Sequence, residues 1–146
     1  MIGDTAVVVD SASYLPSELH ERFGLTTVPL TVVVDGEEFR EFETLGADEF
    51  YQRLAGGAEV STSQPPPGRF AQAYESVVSQ GARRIVSIHI GSGMSGTVNS
   101  ARLGAEMVNV PVQIIDTGRA SFIEGLCVWA LCEALTAGAS LDEAEE

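Results

Sequence analysis

Basic residues are scarce in this sequence. Among its 146 residues, 8 are lysine or arginine and 21 are aspartate or glutamate, so the formal net charge is −13. Nucleic acids and anionic membrane surfaces are bound through basic faces. The composition therefore argues against nucleic acid and against an anionic membrane as partners. An acidic chain still binds an anion locally where hydroxyls and backbone N–H groups supply the donors.

Long apolar runs and cysteines are scarce too. No apolar stretch approaches the ~18 residues of a membrane span, and no basic segment precedes the first apolar run as in a signal peptide. We therefore expect a cytoplasmic protein with no stable membrane insertion. The cysteines, Cys127 and Cys132, share one apolar segment at a spacing that suits neither a disulfide framework nor a metal site, so buried free thiols are expected. Histidines and carboxylates do not converge at ligand spacing either, so no metal is expected.

Short apolar runs alternate with helix-like segments along the chain. The predicted strands are residues 5–9, 25–34, 84–90 and 112–115. The predicted helices are residues 17–23, 47–54, 70–78, 98–108 and 122–136. Such alternation is typical of an α/β domain in which a mostly parallel sheet is sandwiched by helices, a Rossmann-like three-layer arrangement.

Local patterns refine this outline. Pro29 indicates a bend or an edge within the second strand, and Asp35-Gly36 predicts a small hairpin. A capping-box pattern at residues 140–143 starts another helix close to the last residue. We therefore expect one domain over residues 1–138, with 139–146 beginning a helix that leads to a C-terminal domain outside this chain.

The turn at residues 91–97 carries the predicted chemistry. It joins an apolar strand to a helix, so free backbone N–H groups and the positive end of the helix dipole can hold an anion there. No lysine or arginine occurs between His89 and Ala101. The anion would therefore be held by amides and hydroxyls; the turn's hydroxyls are those of Ser92, Ser95 and Thr97.

Further polar residues are expected beside this turn. In parallel sheets the ligand crevice lies beyond the carboxyl ends of the strands, where Asp10-Ser11 and Asp116-Thr117 end two of the predicted strands. A loop of hydroxyl residues, 61–63, is followed by three prolines that keep its backbone extended. We expect Thr62 and Ser63 of this loop to form the opposite wall.

Two other functions are compatible with parts of this pattern. Gly91, Gly93 and Gly96 spell G-x-G-x-x-G, and Asp116 stands in the ribose-binding position, as in a nicotinamide dinucleotide-binding oxidoreductase domain. Ser95 could act as a nucleophile only if a base were available. His89 lies within a strand, which favours a packed core histidine, and His20 is expected on the exposed side of its helix, so no hydrolase is predicted.

Five short motifs, in order and at suitable intervals, resemble the N-terminal domain of the DegV family, the bacterial fatty-acid-binding proteins. Each motif is short, but the set is specific, and the resemblance covers nearly the whole chain. The motifs are Asp10-Ser11, Val28-Pro29-Leu30, Thr62-Ser63-Gln64-Pro65, Ser95-Gly96-Thr97 and Ile115-Asp116.

The resemblance implies a two-domain protein that binds a long-chain fatty acid, such as palmitate or oleate, in a tunnel between its domains. It implies that Thr62 and Ser95 hold the carboxylate. It further implies a non-catalytic subunit without a cofactor, which presents the acid to a separate ATP-dependent fatty acid kinase (DAK-domain) subunit. A chain that serves only as an interaction module for that kinase is the remaining alternative. Secondary site positions are Ser11, Ser63, Ser92, Gly93, Gly96, Thr97 and Asp116.

The chain departs from the family pattern at two places. Gly91-Ser92 stands where the family usually has two serines, and Phe39-Arg40-Glu41 stands where the family has an aspartate after a hairpin tyrosine. These departures affect the expected secondary contacts and leave Thr62 and Ser95 in place.

Overall fold

The structure, a computed structural model, describes residues 1–145, which form seven strands and six α-helices. The strands are β1 (Thr5–Asp10), β2 (Thr26–Val28), β3 (Thr31–Val34), β4 (Glu37–Arg40), β5 (Val60–Ser63), β6 (Arg84–His89) and β7 (Val112–Asp116). The helices are α1 (Ser17–Phe23), α2 (Ala47–Ala55), α3 (Pro67–Ser79), α4 (Thr97–Ala105), α5 (Ser121–Thr136) and α6 (Leu141–Glu145). A short 3-10 turn, Ser11–Ser13, follows β1 directly.

Four strands form a parallel sheet in the order β2-β1-β6-β7. The central strand β1 is buried along its whole length, as a continuous apolar run between two helical layers requires. On one face Tyr74 of α3 packs in a cluster with Val8. On the other face Val128 of α5 and Phe23 of α1 pack in a cluster with Val9. The predicted parallel sheet between helical layers is confirmed.

The predicted second strand, residues 25–34, is in fact two strands that belong to two different sheets. β2 ends at Val28 and β3 begins at Thr31. Pro29 lies between them and lacks the N–H that a continuing ladder would need, so the chain leaves the parallel sheet there. β3 becomes the centre of an antiparallel sheet ordered β4-β3-β5. The β3–β4 hairpin turns at Asp35-Gly36, as predicted, with positive φ angles of 51° and 84°.

Strand β5 corrects the loop predicted at residues 61–63. These residues pair antiparallel with β3, and Thr62 lies opposite Val32. The loop prediction was wrong because a run of serine and threonine shows no apolar alternation in the sequence. The backbone ladder to β3 supplies the order, and β-branched threonine suits a partly exposed strand.

The thiol and histidine predictions are confirmed in part. Cys132 is buried and Cys127 is half-buried, and both are free thiols. His20 was expected on an exposed face, but it is half-buried, with Nδ1 3.4 Å from Thr27 Oγ1. Burial lowers the pKa of His20. The correction arises because β2, which follows α1 closely, covers that side of the helix.

Helix bounds differ from the predictions by a few residues. α4 is predicted over 98–108 and runs from Thr97 to Ala105. The predicted capping box is present at the start of α6, where the Ser140 backbone N–H and Oγ donate to Glu143 Oε2 over 2.8 and 2.7 Å. These bonds hold the pKa of the Glu143 carboxyl below its usual range.

A glycine allows α3 and α4 to pack closely. A Cβ built on Gly104 would lie 2.6 Å from Phe70 Cβ and 2.8 Å from the Pro67 carbonyl oxygen. Both atoms belong to the first turn of α3, which rests on the sheet through the fully buried Phe70. The close approach therefore requires glycine at this position.

We predict that Gly104→Ala destabilises the protein, although alanine is the better helix former. The overpacking against Phe70 and Pro67 should cost about 1–3 kcal/mol. That cost exceeds the roughly 1 kcal/mol gained in helix propensity. Urea unfolding of wild type and variant would measure the difference.

Gly68→Ala on α3 is the matched control, because a Cβ there meets no atom within 4 Å. Its unfolding free energy should stay the same or rise by up to about 1 kcal/mol. A Gly104→Ala variant as stable as this control would contradict the close packing of the two helices.

Candidate functional site

Three parallel strands end side by side at one edge of the sheet. β1 lies next to β6, and β6 lies next to β7, so Asp10, the turn at residues 91–96 and Asp116 share the edge where the strands have their carboxyl ends. This is the edge at which open α/β sheets bind ligands. The structure therefore brings together the strand-end residues that the sequence predicts as neighbours.

Asp116 anchors the turn to the loop that follows β7. Its Oδ1 accepts hydrogen bonds from the backbone N–H groups of Ser92 (3.1 Å) and Gly118 (3.0 Å). The Ser92 hydroxyl, together with these amides, holds the pKa of Asp116 below its usual value. Gly91 adds a second link, since its N–H donates to the Arg119 carbonyl over 2.8 Å. Asp116 therefore holds the turn in place, and binding a ribose would compete with these hydrogen bonds.

Packing against neighbouring loops accounts for part of the glycine pattern in this turn. A Cβ on Gly91 would lie 2.7 Å from the carbonyl carbon of Gly118. No side chain fits at this position, because the two backbone segments lie in close contact. A Cβ on Gly96 would lie 3.1 Å from the Gln64 side chain. A Cβ on Gly93 would meet no atom within 4 Å. Neighbouring backbone therefore explains Gly91, whereas at Gly96 the contact is with the end of a flexible side chain. The oxidoreductase alternative is not favoured.

Ser95 lies at the start of α4 and is half-buried. Its Oγ is 2.8 Å from Thr97 Oγ1 and accepts from the Thr97 backbone N–H over 3.3 Å. Thr97 itself is fully buried. The first N–H groups of a helix have no partner within the helix and carry the positive end of its dipole. Ser95 therefore combines a hydroxyl donor with a field that favours a negative charge.

Thr62 approaches the site from the second sheet. Because directly opposed residues share a face, Thr62 projects on the side of Val32, toward the apolar cluster beneath α2. The side chain is exposed and lines a cleft of ≈ 170 Å³. Apolar and aromatic neighbours dominate this cleft: Val32, Phe42, Leu45, Ala47, Phe50 and Tyr51.

Gln64 connects the two walls. It follows β5 and lies against Gly96, at the start of α4. The threonine segment and the serine turn are therefore neighbours in space, although about thirty residues separate them in sequence. Ser63 differs from Thr62, because strand alternation directs its side chain to the opposite face, beside Thr31. The structure thus brings Thr62 and Ser95 to adjoining segments and turns Ser63 away.

Ser11 is a link between the two sheets. Its buried Oγ donates to Glu41 Oε2 over 2.5 Å and accepts from the Leu30 backbone N–H over 2.9 Å. Leu30 and Glu41 flank the antiparallel sheet, whereas Ser11 directly follows β1. Because the hydroxyl proton of Ser11 is donated to Glu41, Ser11 stabilises the junction of the two sheets beneath the candidate site.

Tyr14 and Glu41 line the cleft beside Thr62. Tyr14 was not among the residues expected from the sequence, and Glu41 was named only as a departure from the family pattern. The Tyr14 hydroxyl donates to Glu41 Oε1 over 2.8 Å. Burial, followed by Glu41, raises the pKa of Tyr14 to about 12. Tyr14 and Phe42 adopt positive φ angles of 47° and 61°, and their rings meet edge to face at 5.5 Å. Together with Glu41 they divide the 170 Å³ cleft from a second one of ≈ 440 Å³.

A chain of buried polar groups runs beneath the turn from α3 to β1. Tyr74 Oη lies 2.7 Å from Ser87 Oγ, which lies 2.6 Å from His89 Nε2. His89 Nδ1 lies 3.1 Å from Asp10 Oδ2. Because a carboxylate accepts, Nδ1 carries the proton in this chain and Nε2 accepts from Ser87. His89 is fully buried, which confirms the packed core histidine and leaves Ser95 without it as a base.

Glu124 is the second residue that sequence reasoning missed. It lies in the first turn of α5, is fully buried, and faces Asp10. Burial, and then the negative charge of Asp10, raise the pKa of Glu124 far above its usual range. The available signal was a lone acidic residue in an otherwise apolar helical stretch, residues 122–132. A fully buried glutamate is usually paired, but neither carboxyl oxygen of Glu124 has a hydrogen-bond partner within residues 1–145.

Two other kinds of site receive no support from the part of the chain that is described. Within residues 1–145, no group of three or more histidine, cysteine, aspartate or glutamate side chains is placed to hold a metal ion. None of the described helices has the length and apolar character to cross a membrane.

The fold and this edge define a class of protein: a parallel α/β domain with hydroxyls at a strand-to-helix turn and an apolar cleft on the adjoining antiparallel sheet. The family model described as "Uncharacterised protein, DegV family" matches residues 4–146. The chain belongs to the DegV family.

Individual relatives agree with this assignment. A DegV domain-containing protein of Streptomyces coelicolor is 39% identical over 95% of this chain and 50% of its own length. The DegV family protein of Thermus thermophilus, known for fatty acid binding, superposes with a TM-score of 0.87 at 37% identity, over 96% of this chain and 50% of that one. A stearic acid-binding protein of Eubacterium ventriosum superposes with a TM-score of 0.88 at 29% identity, over 96% and 50%. The chain thus spans about half the length of the relatives it matches.

We predict that Asp116→Ala loosens the turn. Removing the acceptor of the Ser92 and Gly118 amides should forfeit about 1 kcal/mol of local stability, or roughly fivefold in amide exchange. Hydrogen exchange of these two amides, followed by NMR, would measure the effect.

Asp116→Asn is the control, since its amide oxygen can still accept, and its exchange should stay near the wild-type rate. In the wild type the same amides should loosen as the pH falls through the lowered pKa of Asp116, because a group with a lowered folded-state pKa loses its contribution there. Unchanged exchange in Asp116→Ala would mean that Asp116 does not anchor the turn.

Proposed function

We propose that this chain binds a long-chain fatty acid, with the carboxylate held by Thr62 and Ser95. The observation that carries the proposal is the position of these hydroxyls. Thr62 stands at an apolar cleft, and Ser95 stands at the positive end of α4 on the adjoining segment. An amphipathic acid needs this combination of an anion-holding end and an apolar wall. Relatives that bind fatty acids, one of them stearic acid, support the same ligand class.

The chemistry of the donors supports a presenting role. Hydroxyls and amides orient a carboxylate without pairing it to a full positive charge, so its oxygen keeps its ability to attack phosphorus. An arginine or lysine clamp would bind the acid more tightly and weaken it as a nucleophile. We therefore propose a non-catalytic, cytoplasmic carrier that offers the carboxylate to a separate ATP-dependent fatty acid kinase.

The size of the cleft indicates that a second wall is needed. Its ≈ 170 Å³ is smaller than the ~300–1,000 Å³ typical of small-molecule pockets, so most of a long acyl chain would lie outside it. Exposed apolar side chains border the same edge, among them Met94 in the turn and Phe122 and Ile123 at the start of α5. We propose that a C-terminal domain following residues 1–138 closes the acyl tunnel over this edge.

Lipid analysis is the direct test of the ligand. We expect mass spectrometry of lipids extracted from the purified protein, expressed from its complete reading frame, to find a stoichiometric long-chain fatty acid such as palmitate or oleate. The absence of such an acid would contradict the proposal. Recovery of a dinucleotide in its place would revive the oxidoreductase alternative.

We predict that Thr62→Ala combined with Ser95→Ala releases the acid. A hydroxyl hydrogen bond to a charged group is worth roughly 1.5–3 kcal/mol, so losing both should weaken binding by a factor of ~100 or more. Competition with a fluorescent fatty acid would give the affinities of both proteins.

Ser61→Ala is the matched control for this pair. Ser61 is an exposed hydroxyl on the same strand as Thr62, but it lies opposite Val33 and so projects from the other face. Its affinity should equal that of the wild type. Equal losses in all variants would show that the strand, and not the two hydroxyls, determines binding.

A further inference from the structure

A buried hydroxyl lies next to that of Ser95. It belongs to Thr97, the first residue of α4, which is fully buried, whereas Ser95 is half-buried. The two hydroxyl oxygens are 2.8 Å apart. We propose that Thr97 is a positioning residue: it donates its hydroxyl proton to Ser95 Oγ and so leaves the Ser95 proton free for a carboxylate oxygen of the ligand. The functional part of this inference rests on the proposed fatty acid binding.

Burial decides which of the two hydroxyls is the donor. A hydroxyl has one proton to donate and can accept two hydrogen bonds. Within residues 1–145, Ser95 Oγ is the only hydrogen-bond partner of Thr97 Oγ1. If Ser95 were the donor, the Thr97 proton would be buried without an acceptor, which is unfavourable. The opposite direction leaves no such group, so Thr97 donates and Ser95 accepts.

Thr97 fills both acceptor positions of Ser95. Ser95 Oγ lies 2.8 Å from the Thr97 hydroxyl oxygen and accepts from the Thr97 backbone N–H over 3.3 Å. A hydroxyl whose two acceptor positions are filled can only donate. An ionised carboxylate oxygen accepts and never donates, so it is the complement of this hydroxyl. The contact with Thr97 therefore makes Ser95 specific for ligand atoms that accept.

The same contact strengthens Ser95 as a donor. Hydrogen bonds in a chain polarise one another, so a hydroxyl that accepts one hydrogen bond donates the next more strongly. This matters because no lysine or arginine occurs between His89 and Ala101 to supply a positive charge. Thr97 thus increases the hold of Ser95 on the carboxylate without adding a formal charge, as the proposed presenting role requires.

NMR tests the direction of the Thr97 proton without any lipid. The protein, expressed from its complete reading frame, delipidated and isotope-labelled at serine and threonine Cβ, is measured in an equal mixture of H2O and D2O. A slowly exchanging hydroxyl then gives two Cβ signals, one for each hydrogen isotope. We expect two Thr97 signals in the wild type and one in Ser95→Ala, where the acceptor is missing. A single Thr97 signal in the wild type, or two in both proteins, would overturn the proposal.

Ser13 is the internal control for this measurement. Its hydroxyl is buried and donates to the Asp10 carbonyl over 2.9 Å, a bond that does not involve Ser95. It should give two signals in both proteins.

Fatty acid affinity tests the functional part. Thr97→Val keeps the shape of the side chain but removes the hydroxyl, so it should bind palmitate about fivefold more weakly, measured by competition with a fluorescent fatty acid. Thr97→Ser restores a hydroxyl and should recover most of this loss. Thr136→Val is the matched control, because it removes an exposed hydroxyl that donates to the Cys132 carbonyl at the far end of α5. Equal affinities of Thr97→Val and Thr136→Val, or no recovery in Thr97→Ser, would contradict the role of the hydroxyl.

A double-mutant cycle separates positioning from a general disturbance of the turn. If Thr97 acts only through Ser95, Thr97→Val should cause no further loss of palmitate affinity in a Ser95→Ala background. An undiminished further loss would refute the proposal. The NMR comparison changes no residue at position 97, so it decides the proton direction even if Thr97→Val does not fold. A wild type that binds no palmitate would refute the proposed function, and the NMR comparison would still decide which hydroxyl donates.

Discussion

The buried carboxylate of Asp10 is the interaction on which the site edge depends. A charge removed from water is costly unless hydrogen bonds replace its hydration. Asp10 meets this requirement with hydrogen bonds from the Ala12 amide of the following turn, from His89 Nδ1 at the end of β6 and from the Ile90 amide just after it. The requirement works in both directions: the ends of β1 and β6 must lie where their amides can reach the carboxylate. The position of the turn that carries Ser95 follows from this constraint.

The second sheet is equally necessary for the proposed site, because Thr62 lies on its strand β5, whereas Ser95 lies in the turn that follows β6 of the first sheet. Pro29 interrupts the chain after β2 and allows β3 to start an antiparallel sheet in a new direction. Ser11 then joins the two sheets through Glu41 and Leu30. The break at Pro29 therefore allows the antiparallel sheet, which carries the second wall of the proposed site, to form beside the parallel one. A single strand across residues 25–34 would have extended the parallel sheet and left no second wall.

Elements whose formation depends on a local residue pattern could be predicted from the sequence. The apolar runs that became β1 and β6, and the glycine turn before α4, were predicted within one or two residues. Features that depend on distant partners were not predicted. β5 is ordered by β3, about thirty residues away, and its own residues carry no apolar signal. Glu124 is buried where α5 rests on the 3-10 turn, more than a hundred residues away in sequence. The positive φ angle of Tyr14 leaves no trace in its residue type.

The glycine turn shows why a motif needs its surroundings before it can be interpreted. Its spacing equals that of a dinucleotide fingerprint, yet Gly91 is required by the backbone of Gly118, and Gly96 lies against Gln64. In the fingerprint the acidic residue is free to bind a ribose, whereas Asp116 here accepts the amides that hold the turn. The backbone geometry of a strand, a tight turn and a helix start favours an anion in either case. Which anion is accepted depends on the side chains around it, and here these are hydroxyls beside an apolar cleft.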